Sequence, residues 1–155
     1  MTGAVQAMSW SPQLRAAGLR VTQPRVSVLG ILDAEPHLSA DQVTERVRAE
    51  LGTVSTQAVY DTLNTLTGHG ILRRIEPAGS SMRYEIHTRD NHHHLVCRHC
   101  GSVTDVPCAV GEVPCAVPGN DYGFSVDEAE VTYWGLCPEC QPTSLGSSPG
   151  HERTS

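Results

Sequence analysis

The clearest chemical signal in the sequence is a repeated cysteine pair. Cys97 and Cys100 are separated by two residues, and so are Cys137 and Cys140. Two intervening residues allow both thiolates of a pair to face one tetrahedral ion at about 2.3 Å. Disulfides are disfavoured, because the chain lacks the basic region and apolar run of an export signal. The spacing therefore predicts one structural Zn²⁺ bound by all four thiolates, with no coordination position left open for catalysis.

A second group of metal-binding residue types precedes the first cysteine pair. In a strand, the side chains of His92 and His94 project from one face, while that of His93 projects from the other. A lone histidine is more often structural, but two imidazoles on one face form half of a metal site. Three further residues could complete a mixed nitrogen and oxygen site: His37, Glu85 and Asp105. Such ligands suit Fe²⁺, Mn²⁺ or Zn²⁺, and they predict exchangeable more than permanent metal binding.

The elements that must position these groups begin with helices. A short amphipathic turn around Leu14 is followed by three long helices, each predicted after a capping residue: Thr22, Ser39 and Ser55. Gln42, three residues after Ser39, completes a capping box. Each long helix carries an apolar stripe at helical spacing, formed in turn by Val26, Leu29 and Leu32, by Val43, Val47 and Leu51, and by Val59, Leu63 and Leu66.

The pattern then changes from helices to strands. The segments ILRRIEP and SMRYEIH read as two short strands around a turn. Three helices followed by a hairpin is the order of a winged helix-turn-helix, in which the helix after Ser55 would enter the major groove. The alternative is that the apolar stripes form only a core. Further along, HHLVC, SVTDV and EVTYW also read as strands, so the sequence predicts an α+β protein.

The charge of the chain is unevenly distributed. Its 155 residues carry a formal net charge of −6 and include no Lys, which taken as a total argues against a nucleic-acid partner. Residues 1–90, however, hold nine Arg and nine acidic residues, whereas residues 91–155 hold two and eight. Arg15, Arg20 and Arg25 all precede the first acidic residue. The half predicted to meet DNA is thus neutral overall, with Arg at its expected contact edges.

Composition limits the remaining classes of protein. Hydrophobic residues make up 39% of the chain and aromatic residues 5%, so each half would bury a modest core of the kind that a metal or a partner subunit often stabilises. No stretch approaches the roughly 20 apolar residues of a membrane helix, and the expected location is cytoplasmic. Cys108 and Cys115 are interpreted as small buried hydrophobic residues rather than a redox pair or a further metal ligand set.

Several motifs together resemble one family. LRVTQPRVSVL, HLSADQV, VSTQAVYDTLNTL, RYEI, NHHHLVCRHCG and WGLCPEC occur in an order and spacing similar to the ferric uptake regulator family, over about residues 10–140. DNHHHLVCR, CAVGEVPC and DEAEVTYWGLCPEC resemble its actinobacterial FurA-type members in particular. The resemblance implies a homodimeric repressor that binds palindromic operator DNA, with an N-terminal winged helix and a C-terminal α/β dimerisation domain.

The resemblance also assigns residues. Cys97, Cys100, Cys137 and Cys140 match the structural zinc ligands of the family. Its regulatory site between the domains corresponds to His37, Glu85, His92, His94 and Asp105. Gln57 and Tyr60 fall on the recognition helix and Arg15 near the minor groove. With the helix pattern, the full set of predicted DNA-binding residues is Arg15, Arg20, Arg25, Ser55, Thr56, Gln57 and Tyr60.

The sequence thus predicts four segments: a winged-helix domain over residues 1–86, a hinge over 87–91, a metal-binding dimerisation domain over 92–140 and a disordered tail over 141–155. The predicted function is Fe²⁺-dependent repression of oxidative-stress genes such as catalase-peroxidase, of iron-homeostasis genes, and of the chain's own gene, with Mn²⁺ or Zn²⁺ as alternative effectors. A metal-binding module without DNA function and a zinc hydrolase are the rivals. No general-base motif such as HExxH supports an enzyme.

Overall fold

A computed structural model describes residues 10–77, 79–88, 92–107, 118–126 and 129–142. The chain divides into two compact units, unit 1 (Met1–Asp90) and unit 2 (Asn91–Ser155), which are described separately below. Three expectations concern residues outside the described part: the end of the hinge at 89–91, the segment with Cys108 and Cys115, and the tail from residue 143. Among the described residues, no helix is long and apolar enough to span a membrane.

Four helices form most of unit 1. The described part of α1 covers residues 10–16. The other three are α2 (Gln23–Ala34), α3 (Ala40–Leu51) and α4 (Thr56–Gly68). Ser39 and Gln42 form the expected capping box, and the Ser55 side chain accepts a hydrogen bond from the backbone N–H of Ala58. Thr22 occupies the N-cap of α2 without a side-chain cap hydrogen bond, so Pro in the first turn is the stronger start signal there.

A three-stranded sheet completes unit 1. The predicted hairpin is present as β2 (Leu72–Ile75) and β3 (Arg83–Ile86), which pair antiparallel. A third strand, β1 (Leu38–Ser39), pairs antiparallel with the other edge of β3, giving the order β1-β3-β2. The sequence analysis did not predict β1, because two residues are too few to show an alternating pattern. β3 therefore lies at the centre of the sheet.

The core of unit 1 is built from the predicted apolar stripes. Val59, Leu63 and Leu66 of α4 are fully buried, as are Val43 and Val47 of α3. The stripe residue Leu51 is only half-buried. The remaining members of the same buried cluster are Leu14, Val26, Val28, Leu29, Leu32, Leu38, Leu72 and Tyr84. Burial of this kind is the main stabilising contribution to a small domain.

Unit 2 contains a second three-stranded sheet. Its strands are β4 (His92–Cys97), β5 (Val103–Pro107) and β6 (Thr132–Gly135), in the order β5-β4-β6. β5 pairs antiparallel and β6 parallel with β4, at the three segments that the sequence predicted as strands. The only buried apolar side chains among the described residues of this unit are those of Val96 and Cys97. The confirmed α+β class thus includes one unit with a substantial apolar core and one whose described residues form no such core.

Candidate metal centres and nucleic-acid interface

The four cysteines converge in unit 2. Cys97 ends β4, Cys100 lies in the turn that follows it, and the second pair follows β6. Their sulfur atoms all lie within 4.8 Å of one another, and the Cys100 and Cys137 sulfurs are 3.7 Å apart. A tetrahedral ion with bonds of about 2.3 Å places its ligand sulfurs about 3.8 Å apart, so the cluster fits Zn²⁺. The expected turn after the first pair is made by Gly101, at a φ of 73°.

The surroundings of the cluster affect its thiols in opposite ways. Backbone N–H groups, that of Cys100 first and that of Cys137 next, lower the pKa of the Cys97 thiol to about 6. The Cys137 side chain, followed by desolvation, raises the pKa of the Cys140 thiol to about 12. Thiols this close cannot all ionise without a compensating cation, whereas a coordinated divalent ion deprotonates them outright. The donor set therefore fits a closed structural zinc site.

Unit 1 brings together two of the predicted regulatory ligands. His37 precedes β1 and Glu85 lies in the adjacent strand β3, so pairing of the two strands brings their side chains close. His37 Nε2 lies 3.0 Å from Glu85 Oε2. Both residues are buried, with 8% and 2% of their surfaces exposed. A buried carboxylate beside an imidazole offers one oxygen and one nitrogen ligand to a divalent ion.

The backbone at His37 is unusual. Its φ is 66°, in the left-handed region that residues with a Cβ adopt rarely. The conformation is maintained by two hydrogen bonds: the His37 N–H donates to the Tyr84 carbonyl at 2.9 Å, and the Arg83 guanidinium donates to the His37 carbonyl at 3.3 Å. Strained backbone of this kind is typical of functional sites, where the surrounding structure fixes the orientation of a side chain.

Unit 2 brings together another two predicted ligands. His94 is fully buried in β4 and pairs in register with Asp105 of β5, so both side chains project from one face of the sheet. His94 Nε2 lies 3.4 Å from Asp105 Oδ1. The backbone of His92 begins the same strand, while its side chain lies outside the described part of the structure. His93 is also buried, and its ring makes an edge contact with that of Tyr133.

The sequence analysis missed one acidic residue of this group. Glu130 Oε1 lies 3.3 Å from His94 Nδ1, so the imidazole has a carboxylate beside each nitrogen. Glu130 precedes β6, which pairs in parallel with β4. Parallel pairing between these segments has no marker in the sequence. The dense run of acidic residues before β6 was the available signal.

The predicted DNA-binding residues of α4 lie on its exposed side. Ser55, Thr56, Gln57 and Tyr60 are all exposed, opposite the buried stripe. Ser55 caps the helix, and the other three also have partners within unit 1: Thr56 accepts from Arg48 at 2.7 Å, and Gln57 and Tyr60 donate to carboxylates at 2.8 and 3.2 Å. The carboxylate that faces Tyr60 is that of Asp41, which raises the pKa of the phenol.

The predicted arginines flank the start of α2. Arg15 and Arg20 are exposed, and Arg25 is half-buried. The Arg25 guanidinium donates to the Arg20 carbonyl at 2.7 Å, which fixes one guanidinium near the N-terminus of α2. Cationic groups at this end of a helix add to the positive field of its dipole and favour anions.

Comparison with known proteins identifies relatives of the chain. The model of the ferric uptake regulator family matches residues 16–133. The transcriptional regulator FurA of Mycobacterium tuberculosis is 54% identical over 139 residues, which cover 90% of this chain and 95% of the relative. This agrees with the prediction of a transcriptional regulator and with the prediction that the chain is not an enzyme.

Solved structures support the fold. The ferric uptake regulator Fur of Helicobacter pylori matches with a TM-score of 0.66 at 23% identity, covering 93% of this chain and 97% of that one. The regulator of Francisella tularensis, solved with iron, matches with a TM-score of 0.62 at 25% identity, covering 79% and 95%. Together with the family model and the FurA relative, these matches show that the chain belongs to the ferric uptake regulator family.

Proposed function

We propose that this chain represses transcription by binding palindromic operator DNA as a homodimer when Fe²⁺ occupies a regulatory site to which both units contribute. The observation that carries the proposal is a pair of half-sites, each of which pairs a buried imidazole with a carboxylate. One is His37 with Glu85 in unit 1, and the other is His94 with Asp105 in unit 2. Each half-site belongs to a different compact unit of the chain.

Neither half-site is a complete coordination shell. Each offers one imidazole and one carboxylate, whereas Fe²⁺ and Mn²⁺ prefer more nitrogen and oxygen ligands than two. His92 belongs to the proposed site as a third imidazole. A single ion bound by all five residues would satisfy both half-sites and couple the units. Mn²⁺ and Zn²⁺ accept the same donor set and are the alternative effectors.

Coupling of the units would make DNA binding depend on metal. An ion shifts an equilibrium only by its differential affinity for the two states, and ligands drawn from both units bind best in one arrangement of them. That arrangement is proposed to place the two recognition helices of a dimer on successive operator half-sites. The cysteine-bound Zn²⁺ has a separate, structural role and stays in place when the regulatory ion leaves.

The exposed face of α4 is proposed to contact the operator. Gln57 and Tyr60 would exchange their present partners, Asp61 and Asp41, for bases or phosphates. Ser55 and Thr56 lie at the N-terminus of the helix, where backbone N–H groups and the helix dipole favour a phosphate. Arg15, Arg20 and Arg25 would supply cationic contacts to phosphate, which unit 1 needs because its nine Arg are balanced by nine acidic residues.

Apolar surface on unit 2 supports self-association. Leu95 of β4 pairs in register with Tyr133 of β6, and their side chains are 44% and 45% exposed. Leu136, which follows β6, is also exposed. Exposed apolar groups that share one face of a sheet are typical of an interface, here proposed to bind a second copy of the chain. The proposed targets are catalase-peroxidase genes, iron-homeostasis genes and the chain's own gene, and the proposed location is the cytoplasm.

The test is metal-dependent binding to DNA from upstream of the chain's own gene. Fluorescence anisotropy is measured with zinc-loaded protein and increasing Mn²⁺, an air-stable substitute for Fe²⁺. His37→Ala and His94→Ala are each expected to weaken metal-activated binding by about 100-fold or more, since loss of even an outer partner of a metal ligand costs 10–100-fold. The control is His69→Ala, which removes an exposed histidine and should leave the titration unchanged.

Two results would contradict the proposal. Normal Mn²⁺ activation of both histidine variants would show that the half-sites do not bind the effector. A wild-type chain that binds Mn²⁺ but binds no DNA at any metal concentration would support the rival metal-binding module instead.

A further inference from the structure

Glu85 interacts with a cation already present in the protein. Its Oε1 lies 3.5 Å from Arg73 Nη1, while its Oε2 faces His37. Arg73 and Glu85 pair directly in register on β2 and β3, so the sheet itself fixes their separation. The side chains are 14% and 3% exposed. The carboxylate therefore has an imidazole on one oxygen and a guanidinium on the other.

We propose that Arg73 restrains metal binding at Glu85 and so sets the metal concentration at which the regulatory site fills. The inference rests on the proposed function, in which Glu85 is a ligand of the effector ion. In the metal-free chain the guanidinium balances the charge of the buried carboxylate. When a divalent ion binds, the same guanidinium becomes a fixed positive charge beside it and opposes its binding.

Burial makes this opposition strong and only weakly dependent on salt. Charges in a poorly solvated environment interact far more than exposed charges at the same distance, and salt screens them less. The exposed pair between Arg46 and Glu35, at 3.1 Å with side chains 44% and 51% exposed, offers the contrasting case in the same unit.

The experiment measures Mn²⁺ affinity of the zinc-loaded full-length chain by the electron paramagnetic resonance signal of free Mn²⁺. Arg73→Gln removes the charge and is expected to tighten Mn²⁺ binding by about tenfold or more, given the strength of buried charge interactions. Arg73→Lys keeps the charge and should remain within about threefold of wild type. The matched control, Arg46→Gln, removes an Arg from an exposed pair and should leave the affinity unchanged.

Thermal unfolding supplies a second measurement. Without Mn²⁺, Arg73→Gln should melt at a lower temperature than wild type, because loss of one partner of a buried ion pair leaves the other uncompensated. Saturating Mn²⁺ should raise the melting temperature of the variant by more than that of wild type. A variant that is unfolded without Mn²⁺ and folded with it would also show this larger stabilisation by Mn²⁺. Arg73→Met, which retains an apolar stem, repeats the test if the Gln variant is unfolded under both conditions.

Failure of this inference is distinguishable from failure of the proposed function. If Glu85→Gln binds Mn²⁺ as tightly as wild type, Glu85 is no ligand and the proposed site is wrong. If Glu85→Gln weakens binding while Arg73→Gln and Arg73→Met leave it unchanged or weaker, Arg73 only supports Glu85 and the restraint is wrong. If neither neutral variant folds with or without Mn²⁺, the guanidinium is a structural requirement and the proposal is likewise overturned.

Discussion

The two units of the chain obtain their stability in different ways. Unit 1 buries an apolar cluster to which α1, all three long helices and the sheet contribute. Among the described residues of unit 2, Val96 and Cys97 are the only buried apolar side chains, and the other buried groups are His93 and His94. Unit 1 is stabilised mainly by burial of apolar surface, whereas the described part of unit 2 buries mainly cysteine and histidine side chains, which are residue types that can bind metal.

This difference assigns separate tasks to the units. An apolar core does not respond to metal ions, so unit 1 can present a constant α4 surface. We expect a sheet with few buried apolar contacts to depend on a bound ion, because the free energy of zinc binding is also free energy of folding. The expected dependence of folding on metal is thus concentrated in unit 2, whereas unit 1 contributes His37 and Glu85 to the proposed regulatory site without needing metal to fold. Three perturbations of decreasing expected magnitude test this expectation.

Removal of the structural Zn²⁺ should have the largest effect. Structural zinc contributes about 10 kcal/mol or more to the folding of small domains, and the described part of unit 2 has no apolar core to replace it. We expect zinc loss, by chelation or in Cys97→Ser, to collapse the unit 2 amide signals in a ¹H–¹⁵N spectrum. The unit 1 signals should stay dispersed.

The zinc content, measured on the same sample, is the control for this experiment. Chelation that leaves zinc bound would change neither set of signals. Zinc-free protein with intact signals from β4, β5 and β6 would contradict the proposed difference between the units, since it would show that unit 2 folds without zinc.

A cavity in the unit 1 core should have an intermediate effect. Leu63 is fully buried in α4, and truncation of a buried Leu to Ala costs about 2–5 kcal/mol. Leu63→Ala should lower the denaturant concentration at which unit 1 unfolds and leave the zinc-dependent transition of unit 2 unchanged. The amide signals of each unit report its own transition. Equal shifts of both transitions would mean that the units unfold together and share their stability.

Local signals made much of unit 1 predictable from sequence. The capping box of Ser39 and Gln42 depends on residues three apart, and the stripe of Val59, Leu63 and Leu66 on helical spacing. Both are complete within a few residues of chain. The zinc cluster could also be predicted from the sequence, because two residues between cysteines fix the geometry of each pair, whatever the distance between the pairs along the chain.

Non-local contacts were not predictable in the same way. The strand β1 exists only because β3 supplies its partner, and the left-handed backbone of His37 depends on hydrogen bonds to Tyr84 and Arg83. The pairing of Arg73 with Glu85 also requires the register of β2 and β3. Residue types and spacing can suggest ligands, but the partners that tune those ligands follow from strand register, which short strands do not specify on their own.

The smallest effect is expected from a single helix cap in unit 1. The Ser39 side chain accepts a hydrogen bond from the Gln42 N–H at 3.3 Å, and the Gln42 side-chain oxygen accepts one from the Ser39 N–H at 2.9 Å. Ser39→Ala should destabilise unit 1 by about 1 kcal/mol, the usual cost of an N-cap, and leave unit 2 unchanged. Thr53→Ala, at an exposed position between α3 and α4, is the control and should stay within about 0.5 kcal/mol of wild type. A shift of the unit 2 transition in Ser39→Ala would show that a local change in unit 1 alters the stability of unit 2. That result would contradict separate stabilisation of the two units.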